Sequence, residues 1–189
     1  MIRKANIHDA LSIQRLIGFH ADKEQMLPRT LEDVSRKIDS FLVYEKDGMV
    51  LGTCSLNDGG VAGWQPPANE NGNRPGVQGT LVEVRSLAVH PDHFKQGIGT
   101  ALVRRCIEEA AHAGKDKIFV LTYAVSLFAK LGFEKVEKIE LPLKIWNDCR
   151  GCPKSESCDE TAMVRPARPA RAAVLVDSPL HNADKVVYS

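Results

Sequence analysis

Apolar and polar positions along the chain predict an ordered series of strands and helices. Short apolar runs predict strands at 2–5, 41–44, 49–56, 81–90, 117–122 and 133–141. Helical spacing of apolar residues predicts helices at 8–20, 30–38, 97–113 and 124–130. Thr30 is placed to cap the second helix, with Asp33 in the capping-box position. Asp47-Gly48 predicts a tight hairpin turn. Because strands and helices alternate in the second half, we expect an α/β fold with a mixed sheet and helices on both faces.

Two segments interrupt this pattern. Residues 57–79 are rich in glycine, proline and asparagine and predict a long loop. Such a loop is either a disordered or simple insertion, or a flap beside a binding site with Trp64 as its anchor. Residues 142–164 form a cysteine-containing segment, and 165–189 predict a flexible tail. The predicted domain therefore spans 1–164.

Length and charge narrow the possible partners. The chain has 189 residues, 43% of them hydrophobic, which suits one domain with a full core. Its 25 basic and 24 acidic residues give a net charge of +1, which does not favour nucleic acid or an anionic membrane as the main partner. No spanning apolar run and no signal-peptide core are visible. We therefore expect a cytoplasmic protein. Its oligomeric state is open, and a homodimer is one candidate.

A glycine-containing loop follows the strand at 81–90. It runs through Pro91 to Gln96-Gly97-Ile98-Gly99 and opens the third helix. The free N–H groups and the dipole at a helix N-terminus bind anions, and glycine lets a bulky ligand approach the backbone. The loop lacks the lysine and hydroxyl residue of a nucleoside-triphosphate loop and the third glycine of a dinucleotide fingerprint. The alternative is that these glycines only ease helix packing.

The context of this loop resembles the GNAT superfamily of acetyl-CoA-dependent N-acetyltransferases. The resemblance is carried by residues 84–89, 91, 96–99, 101–102, 127–128 and 131–134. It implies a mostly antiparallel sheet of six to seven strands and acetyl-CoA as co-substrate. The residues it implies for the cofactor are Leu87, Ala88, Val89, Lys95, Gln96, Gly97, Ile98, Gly99 and Thr100. Phe94 departs from the family, which has Gln or Arg there, so backbone N–H groups would dominate.

Two residues are candidates for proton transfer. Glu83 lies two residues before Arg85 on one strand, so both side chains should point to one face, and its carboxylate could accept the ammonium proton of an amine. The alternative is a strand carboxylate paired to a cross-strand lysine. The general acid of the family is a tyrosine, and the matching position here is Phe128. Tyr123 is the nearby candidate for that role, unless its ring only packs on the core.

Three cations are candidates for binding an acceptor carboxylate: Arg29, Arg85 and Lys144. At a finer level the chain resembles the short single-domain bacterial N-acetylglutamate synthases, through residues 26–29, 83–89, 119–123, 141–154, 158–160 and 162–163. That resemblance implies L-glutamate as acceptor and a place in arginine biosynthesis. Two alternatives stay open, namely acetylation of another amine or a protein N-terminus, and a non-catalytic acyl-CoA sensor.

The cysteines divide into two groups. Cys54 and Cys106 occupy apolar contexts and are predicted to be buried packing thiols. Cys149, Cys152 and Cys158 are spaced as three candidate zinc ligands, one short of a closed site. A redox-labile disulfide or a tight structural loop are the alternatives for this second group.

Overall fold

The computed structural model describes residues 1–58, 79–141, 154 and 157–168. Its strands are β1 (Ile2–Lys4), β2 (Phe41–Lys46), β3 (Met49–Asn57), β4 (Leu81–Val89), β5 (Lys117–Thr122), β6 (Glu134–Lys135) and β7 (Thr161–Pro166). Its helices are α1 (Ala10–Ala21), α2 (Leu31–Arg36), α3 (Ile98–His112) and α4 (Val125–Lys130). Short 3-10 turns occur at Ile7–Asp9, Ile38–Ser40, Pro91–His93 and Lys138–Glu140.

The seven strands form one mixed sheet in the order β1-β2-β3-β4-β5-β7-β6. The β4–β5 pair is parallel, and the other neighbouring pairs are antiparallel. This confirms the predicted mixed and mostly antiparallel sheet of six to seven strands. The parallel pair connects through α3, as a parallel crossover requires.

Helices cover both faces of the sheet because side chains alternate along each strand. Leu42 packs into the core beneath α3, together with Leu102 and Cys106 of that helix. The next residue, Val43, packs on the opposite face against Ile13 of α1. The prediction of helices on both faces is therefore confirmed.

Local sequence signals at two turns are also confirmed. Asp47 and Gly48 both have positive φ, at 52° and 75°, as a tight hairpin between β2 and β3 demands. The Thr30 side chain accepts a hydrogen bond from the Asp33 amide at 3.1 Å and so caps α2.

The strand predicted at 133–141 was wrong. Only Glu134–Lys135 is a strand, because Glu137 and Glu140 exchange capping-box hydrogen bonds that turn the chain into the 3-10 turn at Lys138–Glu140. The longer strand at this end of the sheet is β7, which the sequence patterns did not predict. It inserts between β5 and β6 and continues to Pro166, two residues past the expected domain end at 164.

Several sequence predictions fall outside the described residues. They concern Trp64 and nearly all of the predicted loop at 57–79, Lys144, Cys149, Cys152 and the tail beyond 168. Among the described helices, none combines the length and the apolar character needed to cross a membrane.

Candidate active site

The candidate site lies where β4 and β5 separate. Their parallel register covers only Leu81–Glu83 against Lys117–Phe119. Beyond Glu83 no pairing joins these two strands, so the sheet opens toward the carboxyl end of β5. A cavity of about 410 Å³ occupies this opening. Its walls come from both strands, from α1 and the connector that follows it, from α4 and from the residue preceding β7. A cleft at strand carboxyl ends is a common place for small-molecule sites.

A bulge in β4 redirects the strand beside the cavity. Thr53 pairs with Ala88 and Ser55 pairs with Arg85, so two residues of β4 oppose one residue of β3. Ser86, inside the bulge, has φ of +51°, which is uncommon for a residue other than glycine. A bulge bends its strand and increases the local twist. The bulge therefore turns residues 87–89 away from the path of β5.

The predicted cofactor loop lies next to the end of β4. Lys95 and Gly97 both have positive φ, at 60° and 81°, and Gly97 is the N-cap of α3. The first amides of α3, from Ile98 onward, have no partner within the helix and are available to an anion. A Cβ on Gly99 would lie 3.7 Å from Val89 Cγ2. The start of α3 and the end of the diverging strand are thus adjacent. Gln96, one of the predicted cofactor residues, contacts His93 and the Asp92 carbonyl within its own loop.

Glu83 and Arg85 share one face of β4, as their spacing predicted. Arg85 Nε lies 3.5 Å from Glu83 Oε2, and the two side chains are only 12% and 11% exposed. Both side chains line the cavity, as does Arg29 from the connector after α1. Two of the three predicted acceptor-binding cations therefore meet at one cavity, whereas Lys144 lies outside the described residues.

Tyr123 also lines the cavity, but its hydroxyl is engaged. It donates a hydrogen bond of 2.5 Å to Asp159 Oδ1. Partial desolvation, and then this hydrogen bond, raise the pKa of Tyr123 well above its usual value. A hydroxyl with a raised pKa is a weaker proton donor. Phe128 is buried at the cavity wall and packs edge-to-face on Phe133. Its phenyl ring has no ionisable group, so it cannot donate a proton to the leaving thiolate.

Among the cavity residues that were not predicted from the sequence as site residues, three carry an imidazole, an amide or a carboxyl group. His20 and Gln25 line the side of α1 and its connector, and Glu160 lines the side of β7. His20 Nε2 donates to the Val89 carbonyl at 2.9 Å, since a carbonyl only accepts, and its Nδ1 lies 3.0 Å from Gln25 Oε1. A buried histidine in a helix gives no local signal of a partner 69 positions away.

The cysteines have different surroundings. Cys54 and Cys106 are fully buried with their Sγ atoms 2.8 Å apart, which confirms that they pack in the core. Within the described residues, no group of three or more His, Cys, Asp or Glu side chains is placed to hold a metal ion. Cys158 is half-buried, and its two proposed partners, Cys149 and Cys152, lie outside the described ranges.

The sequence model of the Acetyltransferase (GNAT) family matches residues 7–133, which include the loop, the bulged strand and α3. The chain belongs to this family. An uncharacterised N-acetyltransferase of Chlorobaculum tepidum is 34% identical over 164 residues, covering 87% of this chain and 94% of the relative. The GNAT fold and the N-acetyltransferase activity expected from the sequence are therefore confirmed.

Two further comparisons concern amino-acid acetyltransferases. The amino-acid acetyltransferase of Photorhabdus laumondii is 29% identical over 144 residues, which is 76% of this chain and 28% of the relative. N-acetylglutamate synthase of Neisseria gonorrhoeae, solved with coenzyme A and N-acetyl-glutamate, superposes with a TM-score of 0.70 at 25% identity. That superposition covers 89% of this chain and 35% of the solved chain. The chain thus spans about a third or less of the length of these enzymes.

Proposed function

We propose that this GNAT protein transfers the acetyl group of acetyl-CoA to the α-amino group of L-glutamate, giving N-acetyl-L-glutamate. The observation that carries the proposal is the cavity shared by Arg29, Arg85 and Glu83 at the point where β4 leaves β5. Relatives named amino-acid acetyltransferase and a structural neighbour that binds coenzyme A and N-acetyl-glutamate support it. On this proposal the enzyme would serve arginine biosynthesis.

Acetyl-CoA suits the open edge of β4 and the start of α3. The diphosphate would accept hydrogen bonds from the amides of Ile98, Gly99 and Thr100, where the helix dipole adds partial positive charge. The pantetheine arm carries amides at near-peptide spacing and would lie along Leu87–Val89, the part of β4 that β5 does not pair. Lys95, which is exposed beside the loop, would add a positive charge near the phosphates.

The charges in the cavity fit an acidic amino acid. Glutamate carries two carboxylates and one ammonium group. The guanidinium groups of Arg29 and Arg85 can bind carboxylates in a bidentate manner. The carboxylate of Glu83, held beside Arg85, gives the ammonium group an opposite charge on the same wall. Such positioning of two substrates can supply about 7–11 kcal/mol of the barrier reduction.

Protonation of the leaving thiolate is the step for which the cavity offers the fewest candidate proton donors. Phe128 has no proton to give, and Tyr123 donates its hydroxyl proton to Asp159. Tyr123 remains the proposed acid only if acetyl-CoA displaces this hydrogen bond. Otherwise the thiolate takes the second proton of the attacking nitrogen or one from water.

A panel of acceptors tests the proposal. The protein is mixed with acetyl-CoA and, separately, with glutamate, aspartate, glutamine, simple amines and peptide N-termini, and release of free thiol is recorded. We expect the highest kcat/KM with glutamate, and a lower value with glutamine because it lacks the second carboxylate. Turnover only with simple amines or peptide N-termini would show that the acceptor is one of these and not glutamate. Tight coenzyme A binding with no turnover of any acceptor would indicate a sensor.

A further inference from the structure

Glu160 lines the cavity, and the proposed function assigns it no role. It immediately precedes β7, whose first residue Thr161 pairs with Thr122 at the end of β5. This register places Glu160 across from Tyr123, at the carboxyl end of β5. Glu160 is half-buried and lines the same cavity as Glu83 and Arg85. Glu83 and Glu160 therefore line one cavity from opposite sides of the sheet opening, and Glu160 also borders a second cavity along residues 135–140.

The two carboxylates have different partners. Glu83 is beside the Arg85 guanidinium at 3.5 Å. Among the described residues, no hydrogen bond or ion pair to the Glu160 carboxylate is found. The cations around it are occupied by other groups. Lys138 Nζ donates to the Cys158 carbonyl at 2.5 Å, and Lys154 Nζ lies 3.8 Å from Asp159.

Burial is the largest influence on the pKa of Glu160. Desolvation raises the pKa of this carboxyl, and the charge of Asp159 raises it further, whereas Lys138, Arg85 and Lys154 oppose the shift. The net direction is upward, so the ionised carboxylate is a stronger base than an exposed one. A general base works best when its pKa lies closer to the working pH. The upward shift brings Glu160 nearer to this condition, whereas Glu83 lies beside an arginine.

We propose that Glu160 accepts the proton of the acceptor's ammonium group, while Glu83 and Arg85 position the acceptor. This rests on the proposed function, because it assumes an amine acceptor in the same cavity. The ammonium proton moves to the Glu160 carboxylate, directly or through one water. The neutral amine then attacks the thioester carbonyl, and a C–N bond forms. As the C–S bond breaks, the thiolate takes the second nitrogen proton, and Glu160 returns its proton to solvent.

Three Glu→Gln variants separate the roles. Glu160→Gln and Glu83→Gln each neutralise one cavity carboxylate, and Glu134→Gln is the matched control, since Glu134 is exposed on β6 away from the cavity. For each, kcat and KM are measured from pH 5 to 9 with the acceptor that the panel identifies. General-base catalysis contributes on the order of 10²–10⁴-fold. We expect Glu160→Gln to lose that factor in kcat and to lose the acidic limb of the pH profile, with the KM for acetyl-CoA unchanged.

The other variants should behave differently. Glu83→Gln should raise the KM for the acceptor more than it lowers kcat, and it should keep the acidic limb. Glu134→Gln should match the wild type. Retention of kcat and of the acidic limb in Glu160→Gln would overturn the proposal, as would loss of the limb in Glu83→Gln instead. An acceptor other than glutamate would refute the proposed substrate alone and leave this comparison intact.

A direct titration covers the case in which no acceptor turns over. Protein with ¹³C-labelled glutamate carboxyl groups is titrated by NMR, and the Glu160 resonance is assigned as the one missing from Glu160→Gln. A midpoint above that of the exposed glutamates supports the raised basicity of Glu160 on which the proposed role depends, whereas the catalytic role itself is tested by the variants. A midpoint at or below theirs would refute it whether or not turnover occurs.

Discussion

Replacing Gly52 with alanine tests whether the start of α3 must press closely on the sheet. Gly52 lies in β3, paired with Val89 at the end of β4. A Cβ there would sit 2.7 Å from Ile98 Cγ2 and 3.1 Å from Leu102 Cδ1. Ile98 is the first residue of α3. Its Cγ2 cannot rotate away easily, because a β-branched side chain in a helix holds essentially one χ1 rotamer. The backbone at the start of α3 must therefore move.

The size of the effect follows from this contact. Overpacking a core by one methyl group costs about 1–3 kcal/mol. We expect Gly52→Ala to lower the free energy of unfolding by that amount. Displacement of the α3 terminus should also weaken the binding of the coenzyme A phosphates there. Loss of about 0.3–1 kcal/mol of helix-terminus interaction raises the Kd for coenzyme A roughly two- to fivefold.

Urea denaturation and calorimetric titration with coenzyme A measure the two effects. Gly18→Ala is the matched control, since a Cβ at Gly18 in α1 meets nothing within 4 Å. Alanine favours a helix interior over glycine by about 0.5–1 kcal/mol, so this variant should be stabilised and should bind coenzyme A normally. Wild-type stability and wild-type coenzyme A affinity in Gly52→Ala would refute the packing argument.

Two other perturbations test separate parts of the molecule. Arg85→Ala should lower kcat/KM for glutamate about 10- to 150-fold, from the loss of about 1.5–3 kcal/mol of charged hydrogen bonding. Arg36→Ala, which removes an exposed side chain of α2, should leave kcat/KM unchanged. A fall in coenzyme A affinity instead would contradict the acceptor role of Arg85. Arg3 hydrogen-bonds Asp9 and lowers its pKa below 3.8, so this pair stabilises the fold above that pH and stops doing so as pH falls through the lowered pKa. Urea midpoints measured between pH 2 and 6 should therefore fall less steeply in Asp9→Asn, and equal slopes would contradict the linkage.

The parts of the fold that the sequence predicted are those determined by neighbours along the chain. The Asp47-Gly48 turn, the Thr30 cap and the bounds of β5 each depend on residues within a few positions. The shared face of Glu83 and Arg85 likewise follows from the two-residue period of a strand. The strand, glycine loop and helix start proposed for the cofactor could be located for the same reason, since they are adjacent in sequence.

The parts that could not be predicted depend on distant pairing. β7 enters the sheet between β5 and β6 because Thr161–Pro166 meets Lys117–Thr122, and neither segment encodes that choice locally. The wrong strand at 133–141 has a local cause instead. Glu137 and Glu140 form a capping box within three residues, which a strand pattern alone does not reveal. Glu160 reaches the cavity only through β7. Its carboxylate therefore had no sequence pattern from which a site role could be predicted.

The cavity arises from backbone features more than from any single catalytic side chain. The parallel pairing ends at Glu83, and the bulge at Ser86 then turns the strand away from β5. If pairing continued along β5, the sheet would close over the edge proposed for pantetheine and would separate Glu160 from Arg85. The strained φ at Ser86 persists because α1 and α3 pack on the two faces of this part of the sheet. The packing on both faces thus maintains the opening, and on the proposed function the charged residues around it select the acceptor.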